Sequence, residues 1–125
     1  MTVGDSRDII WISSSLEELK RFPELVQKVM GFALFQAQCG EKHLQARPLK
    51  GLGGAGVLEI IEDFDGNAFR TVYTVRFADA VYVLHAFQKR SKTGIKTPKR
   101  EMDVARARLR IARDLRQAEA DRKEG

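Results

Sequence analysis

The sequence predicts one α+β domain, and three observations carry that prediction. An N-terminal run, Arg7-Asp-Ile-Ile-Trp-Ile-Ser13, is β-rich with adjacent apolar residues, as in a strand buried on both faces. Two stretches, 14–40 and 97–122, repeat apolar residues at helical spacing. Between them, 57–87 holds three β-branched and aromatic runs with short turn-forming links, the pattern of an antiparallel meander. The expected order is an N-terminal strand, a two-helix hairpin, a three-stranded meander completing one sheet, and a C-terminal helix. A length of 125 residues fits one domain, 1–125, and is too short for two.

Each element has its own local signal. Ser14 or Ser15 can cap a short helix with Glu17 and Glu18 in its first turn, and Leu16, Leu19 and Phe22 line one side of it. Pro23 marks the first position of a second helix. There Leu25, Val26, Val29, Met30, Phe32, Ala33 and Ala37 form a broad apolar stripe that fades between Gln38 and Gly40. Residues 41–56 read as a polar and then glycine-rich link. Its Gly51-Leu-Gly-Gly-Ala-Gly56 run precedes a strand instead of opening a helix, and it lacks the Gly-Lys-Ser/Thr of a phosphate loop, so it reads as a flexible strand entry. Val57–Glu62, Ala68–Phe77 and Val81–Phe87 are the meander strands, joined through Asp65-Gly66 and Ala78-Asp79. Thr97 caps the last helix and Pro98 begins it. Met102, Ala105, Leu109 and Ala112 are its core stripe, widened by Val104, Ile111 and Leu115, and residues from about 117 to 125 should fray.

Charge narrows the partner. The net charge is +5 and the isoelectric point about 9.6. Residues 1–84 carry nine basic and eleven acidic side chains, net −2, whereas 85–125 carry thirteen and six, net +7. The segment His85–Arg100 holds Lys89, Arg90, Lys92, Lys96, Lys99 and Arg100 without one acidic residue. That concentration favours an anionic ligand. The helical Arg106, Arg108, Arg110, Arg113 and Arg116 read either as a solvated, ion-paired face or as a nucleic-acid or partner surface. One cysteine, Cys39, rules out an intrachain disulfide. His43 and His85 have no partner at ligand spacing, so no metal and no cofactor are expected. No apolar run reaches the roughly 18–20 residues of a membrane span, and no signal-peptide pattern opens the chain. A reducing cytoplasm is the expected compartment.

The remaining chemistry is cationic. Alternation along the 68–77 strand puts Arg70, Val72, Thr74 and Arg76 on one face, with Glu59 across the hairpin. The same alternation groups Val81, Val83, His85 and Phe87, with Lys89-Arg90 directly after. Arginines that neutralise a phosphorane, beside a Glu or His that moves protons, suit phosphodiester cleavage.

The run from Arg47 to Arg110 carries Pro-Leu-Lys-Gly-Leu-Gly, then Phe-Arg-x-x-Tyr at 69–73, then Val-Leu-His-Ala-Phe-Gln-Lys-Arg-Ser at 83–91, then Thr-Pro-Lys-Arg and Ala-Arg-Ala-Arg-Leu. In these motifs the sequence resembles the phage-derived Gp49-like, or HigB-like, branch of the RelE/ParE toxin superfamily. The resemblance implies a RelE-like fold and the toxin of a type II toxin–antitoxin pair. It further implies a metal-independent endoribonuclease that cuts mRNA on the ribosome through 2′-hydroxyl attack. Its implied partners are mRNA, the ribosome and an antitoxin of helix-turn-helix type, in a bacterial or phage-derived cytoplasmic setting, with no membrane. Residue by residue it implies Glu59, Arg70, His85, Lys89 and Arg90 as the catalytic set. Lys50, Arg76, Lys92 and Lys96 are then the RNA-binding set. The paired lysines of some RelE toxins are replaced here by Glu59 and Ile61, and nothing aromatic follows Phe87. Glu59 or His85 must then carry the proton transfer. The alternatives are a ParE-like inhibitor of DNA gyrase and a nucleic-acid binder without catalysis.

Overall fold

The computed structural model describes residues 6–54, 56–89 and 96–124. The elements are β1 (Asp8–Trp11), α1 (Ser15–Lys20), α2 (Glu24–Gln38), β2 (Ala46–Pro48), β3 (Val57–Phe64), β4 (Asn67–Thr74), β5 (Ala80–Lys89) and α3 (Lys99–Glu124). They form a five-stranded sheet in the order β1-β5-β4-β3-β2. The β3–β4–β5 meander is antiparallel, and β1 runs parallel to β5 at one edge. Helices α1 and α2 cover one face, where Leu19, Phe22, Val26 and Met30 meet Ile60, Phe69, Tyr73 and Val83. Helix α3 covers the other, where Ala105, Leu109 and Ala112 meet Val57, Val72, Leu84 and Phe87. The α+β layering expected from the sequence is therefore present. No helix among the described residues is long and apolar enough to cross a membrane.

Five expectations need correction. The link 41–56 contains β2, which pairs antiparallel with β3 at the other sheet edge. Three residues show no periodicity, and Pro48 is tolerated only because the strand is an edge. The glycine loop behind it is fitted, not merely loose. Gly56 has φ +96°, and a Cβ there would lie 3.1 Å from that of Arg76, so only glycine lets β3 begin against that residue.

Pro23 caps α2 one position before its expected place, and the buried stripe is narrower than predicted. Val26, Met30, Ala33, Leu34 and Ala37 are buried, whereas Leu25 and Phe32 are 61% and 56% exposed. A helix lying on a sheet hides only a thin line of its surface.

The third correction bears on the site. Val72 pairs with His85 but Tyr73 pairs with Val83, so Leu84 is an extra residue in β5. Such a bulge reverses the alternation beyond it. Val81 and Val83 face α1 and α2, joined after the bulge by Ala86. His85 and Phe87, stacked on each other, lie instead on the α3 face. The expected grouping of Val81, Val83, His85 and Phe87 is therefore wrong.

The fourth and fifth concern chain ends. Strand β4 stops at Thr74, so Arg76 lies beyond it, exposed. Helix α3 starts at Lys99 and continues to Glu124 through the tail expected to fray. Gln117–Asp121 and Arg122–Glu119 bonds at helical spacing support that last stretch.

Candidate functional site

Strand alternation and the bulge together aim Glu59, Arg70 and His85 at the α3 side of the sheet. Glu59 sits opposite Val72, which sits opposite His85, so the two acid–base candidates flank one valine across three strands. They are separated by about two strand spacings, roughly 10 Å. They belong to two different clusters.

The first cluster is built on Glu59. The carboxylate is 0% exposed and Arg70 is 2% exposed. Arg70 Nη1 lies 3.4 Å and 3.5 Å from the two carboxylate oxygens. Arg47, from β2, brings Nη2 within 3.6 Å of Oε1. Thr97 completes the set: its hydroxyl donates to Glu59 Oε2 (2.9 Å) and accepts from Arg70 Nη1 (3.2 Å). A buried carboxylate is tolerable only with such compensation. Arg70 Nε is buried and has no hydrogen-bond partner among the described residues, so a donor remains beside the carboxylate.

Above this pair opens a cavity of about 560 Å³. Arg47, Lys50, Lys96 and Thr97 line it, with Leu49 and Met102 as its apolar wall. Lys89, paired with Ala68 at the end of β5, donates from Nζ to the Lys96 carbonyl (2.8 Å). Desolvation and the Arg70 and Arg47 guanidiniums lower its pKa against the opposing pull of Glu59. The cluster thus combines a carboxylate, two guanidiniums and an ammonium. That set can neutralise a phosphate and move protons around it. A smaller cavity of about 340 Å³ lies near Ala37 and Tyr73, lined mainly by apolar surface, with Arg7, Glu41 and Lys42 also in its lining.

The second cluster holds His85. Its Nδ1 is 3.0 Å from Glu18 Oε1 and its Nε2 is 2.7 Å from Glu101 Oε1. Each ring nitrogen thus faces a carboxylate oxygen, and Arg108 Nη1 also lies 3.4 Å from Nδ1. Arg108 clamps Glu18 from α3 with Nη1 and Nη2 at 2.8 Å and 2.9 Å, and Nη1 also reaches the carbonyl of the bulged Leu84 (3.0 Å). The Ala86 N–H adds a further bond to Glu18 (3.1 Å). This network ties α1, β5 and α3 together, and both imidazole nitrogens are engaged within it.

Glu18 makes the network pH-dependent. Desolvation pushes its pKa up, but the bonds from Arg108, Ala86 and His85 outweigh it and hold the carboxyl at about 2 instead of 4.5. A depressed folded-state pKa contributes stability that is complete above the unfolded value and is lost as pH falls. Wild-type protein should lose up to about 3 kcal/mol more than Glu18→Gln between pH 4.5 and 2. Urea unfolding at several pH values reads the difference, and parallel curves for the two proteins would refute the role of Glu18.

Of the residues expected from the sequence, Glu59, Arg70, Lys89, Lys50 and Lys96 come together. His85 shares their face but is bonded elsewhere. Arg76 lies away from the cavity lining, and Arg90 and Lys92 fall outside the described residues. Sequence reasoning missed Arg47, whose only signal is its place in a strand too short to recognise. It also missed the main use of Thr97, read as a helix cap. Among the described residues, no group of three or more His, Cys, Asp or Glu is placed to hold a metal ion.

Comparison with known proteins agrees with the architecture. A solved structure of an arginine-to-alanine double mutant of the E. coli toxin RelE, in its free state, superposes with a TM-score of 0.50. The two are 16% identical over 65% of this chain and 81% of that one, a likeness of fold alone. No curated protein matches the sequence significantly. The family model described as "Phage derived protein Gp49-like (DUF891)" matches residues 17–110, a span that contains Glu59, Arg70, His85, Lys89 and Thr97. The chain belongs to the Gp49-like family of phage-derived proteins and has a RelE-like fold.

Proposed function

We propose that this protein is the toxin of a type II toxin–antitoxin pair, and that it cuts mRNA on the ribosome without a metal ion. The observation that carries the reading is the buried Glu59–Arg70 pair beneath a cavity rimmed by Arg47, Lys50 and Lys96. Family and fold supply the context. Glu59 takes the proton from a ribose 2′-hydroxyl, whose oxygen bonds to the adjacent phosphorus as the bond to the 5′-oxygen breaks. Lys89 gives its proton to that leaving oxygen. The products are a 2′,3′-cyclic phosphate and a 5′-hydroxyl, and the proton on Glu59 returns through water to Lys89. Arg70 and Arg47 offset the charge that builds on the phosphorane. Lys50 and Lys96 hold neighbouring phosphates, with Arg76, Arg90 and Lys92 adding positive charge for the RNA. A helix-turn-helix antitoxin is the expected neutralising partner.

Primer extension on mRNA from cells expressing the protein tests this directly. New 5′ ends should appear within minutes of induction, and a polynucleotide kinase should label them without prior phosphatase treatment. Growth arrest with intact mRNA and inhibited supercoiling would reject the nuclease and favour a gyrase target. Arrest with neither effect would leave a non-catalytic binder.

A further inference from the structure

The Glu59 carboxylate cannot reach a substrate as it stands. It is fully buried, and both oxygens have partners. Two side chains both line the cavity and contact Glu59, those of Arg47 and Thr97; Thr97, 7% exposed, bonds Glu59 and Arg70 through its hydroxyl. We propose that the Thr97 hydroxyl occupies the place of the substrate's attacking 2′-hydroxyl, and that Lys96–Pro98 is a stopper that RNA must displace. The inference rests on the nuclease reading and adds to it how the resting site is closed.

Three observations converge. The first is chemical. An aliphatic alcohol donates its proton to the carboxylate at 2.9 Å while accepting from the arginine at 3.2 Å. A ribose hydroxyl about to lose its proton to Glu59 would make the same two contacts. The second is local. Thr97 lies one residue before Pro98, the cap of α3, and so just outside the position where a threonine hydroxyl caps backbone N–H groups. Its hydroxyl is directed to the Glu59–Arg70 pair. The third is the fastening. The Lys89 ammonium holds the Lys96 carbonyl at 2.8 Å. A phosphate entering the cavity competes for that ammonium, since a charged acceptor binds it more strongly than a neutral carbonyl. Arrival of the anion and release of the stopper are thereby coupled.

A stopper reduces apparent affinity by the fraction of molecules that are open. Removing hydrogen bonds made to charged groups shifts that fraction by roughly ten-fold or more. Thr97→Ala should therefore lower KM for mRNA on programmed ribosomes about ten-fold with little change in kcat, and should bind a short single-stranded RNA correspondingly tighter by fluorescence anisotropy. Thr97→Ser, which restores the hydroxyl, should return both values to wild type. If Thr97 only supports the fold, apparent kcat falls in Thr97→Ala in proportion to the loss of folded protein while KM is not lowered, and the stopper is overturned. A folded Thr97→Ala protein with unchanged or raised KM overturns it as well, while the cleavage by wild type upholds the nuclease reading. If wild type and Thr97→Ala both leave mRNA intact, the nuclease reading fails and the stopper falls with it.

Discussion

Arg70→Ala should destabilise the fold by roughly 3–5 kcal/mol, the cost of leaving a buried charge without its main partner. Glu59 stays fully enclosed in that variant, with the half-exposed Arg47 and the Thr97 hydroxyl as its remaining contacts. Replacing both members by apolar residues of similar size, Glu59→Leu with Arg70→Met, should recover most of the loss, because the desolvation penalty of both ions disappears together. Urea unfolding of the wild type, both single variants and the double variant closes the cycle. A cost below about 1 kcal/mol for Arg70→Ala would mean that the pair is solvated, contrary to its burial. Loss of toxicity in Arg70→Ala alone is consequently weak evidence about chemistry, since a partly unfolded toxin is also harmless.

The layers of the fold were legible because strand and helix periods are long-lived signals. Asp65-Gly66 fixed the β3–β4 register, and with it the neighbourhood of Glu59 and Arg70. What was lost depended on single residues or on distance along the chain. One inserted residue, Leu84, moved His85 from the expected face to the opposite one, and no composition or period announces an insertion of one. Thr97 meets Glu59 across 38 positions, and its own neighbourhood, Thr-Pro before a helix, has a sufficient local explanation. The C-terminal excess of charge was visible, but its division between ion pairs and the cavity rim was not. Arg108 is bonded to Glu18, Arg106 to Asp103 and Arg116 to Asp79, so much of α3's charge is structural. The cationic rim of the cavity comes from Arg47, Lys50 and Lys96, two of which lie in the acidic part of the chain.

Two clusters on one sheet face call for opposite behaviour from their acid–base residues. Glu59→Gln keeps the shape of the side chain and an oxygen for Arg70, yet cannot accept a proton. Cleavage should fall by about 10²–10⁴-fold, with RNA affinity no weaker than that of wild type and its salt dependence unchanged. Lys50→Ala should do the reverse: affinity falls, and the slope of log K against log salt flattens by about 0.7, the contribution of one phosphate contact on a single strand. His85→Gln breaks a tie between α1, β5 and α3, so it should lower stability while the folded fraction cleaves at the wild-type rate per molecule. Single-turnover cleavage, corrected for the folded fraction by circular dichroism, separates the three. If folded His85→Gln loses 10²-fold or more while Glu59→Gln retains its rate, the imidazole is the base. Its two carboxylate contacts would then have to open before reaction, and the Glu59–Arg70 pair would be a structural ion pair that happens to lie under a cationic cavity.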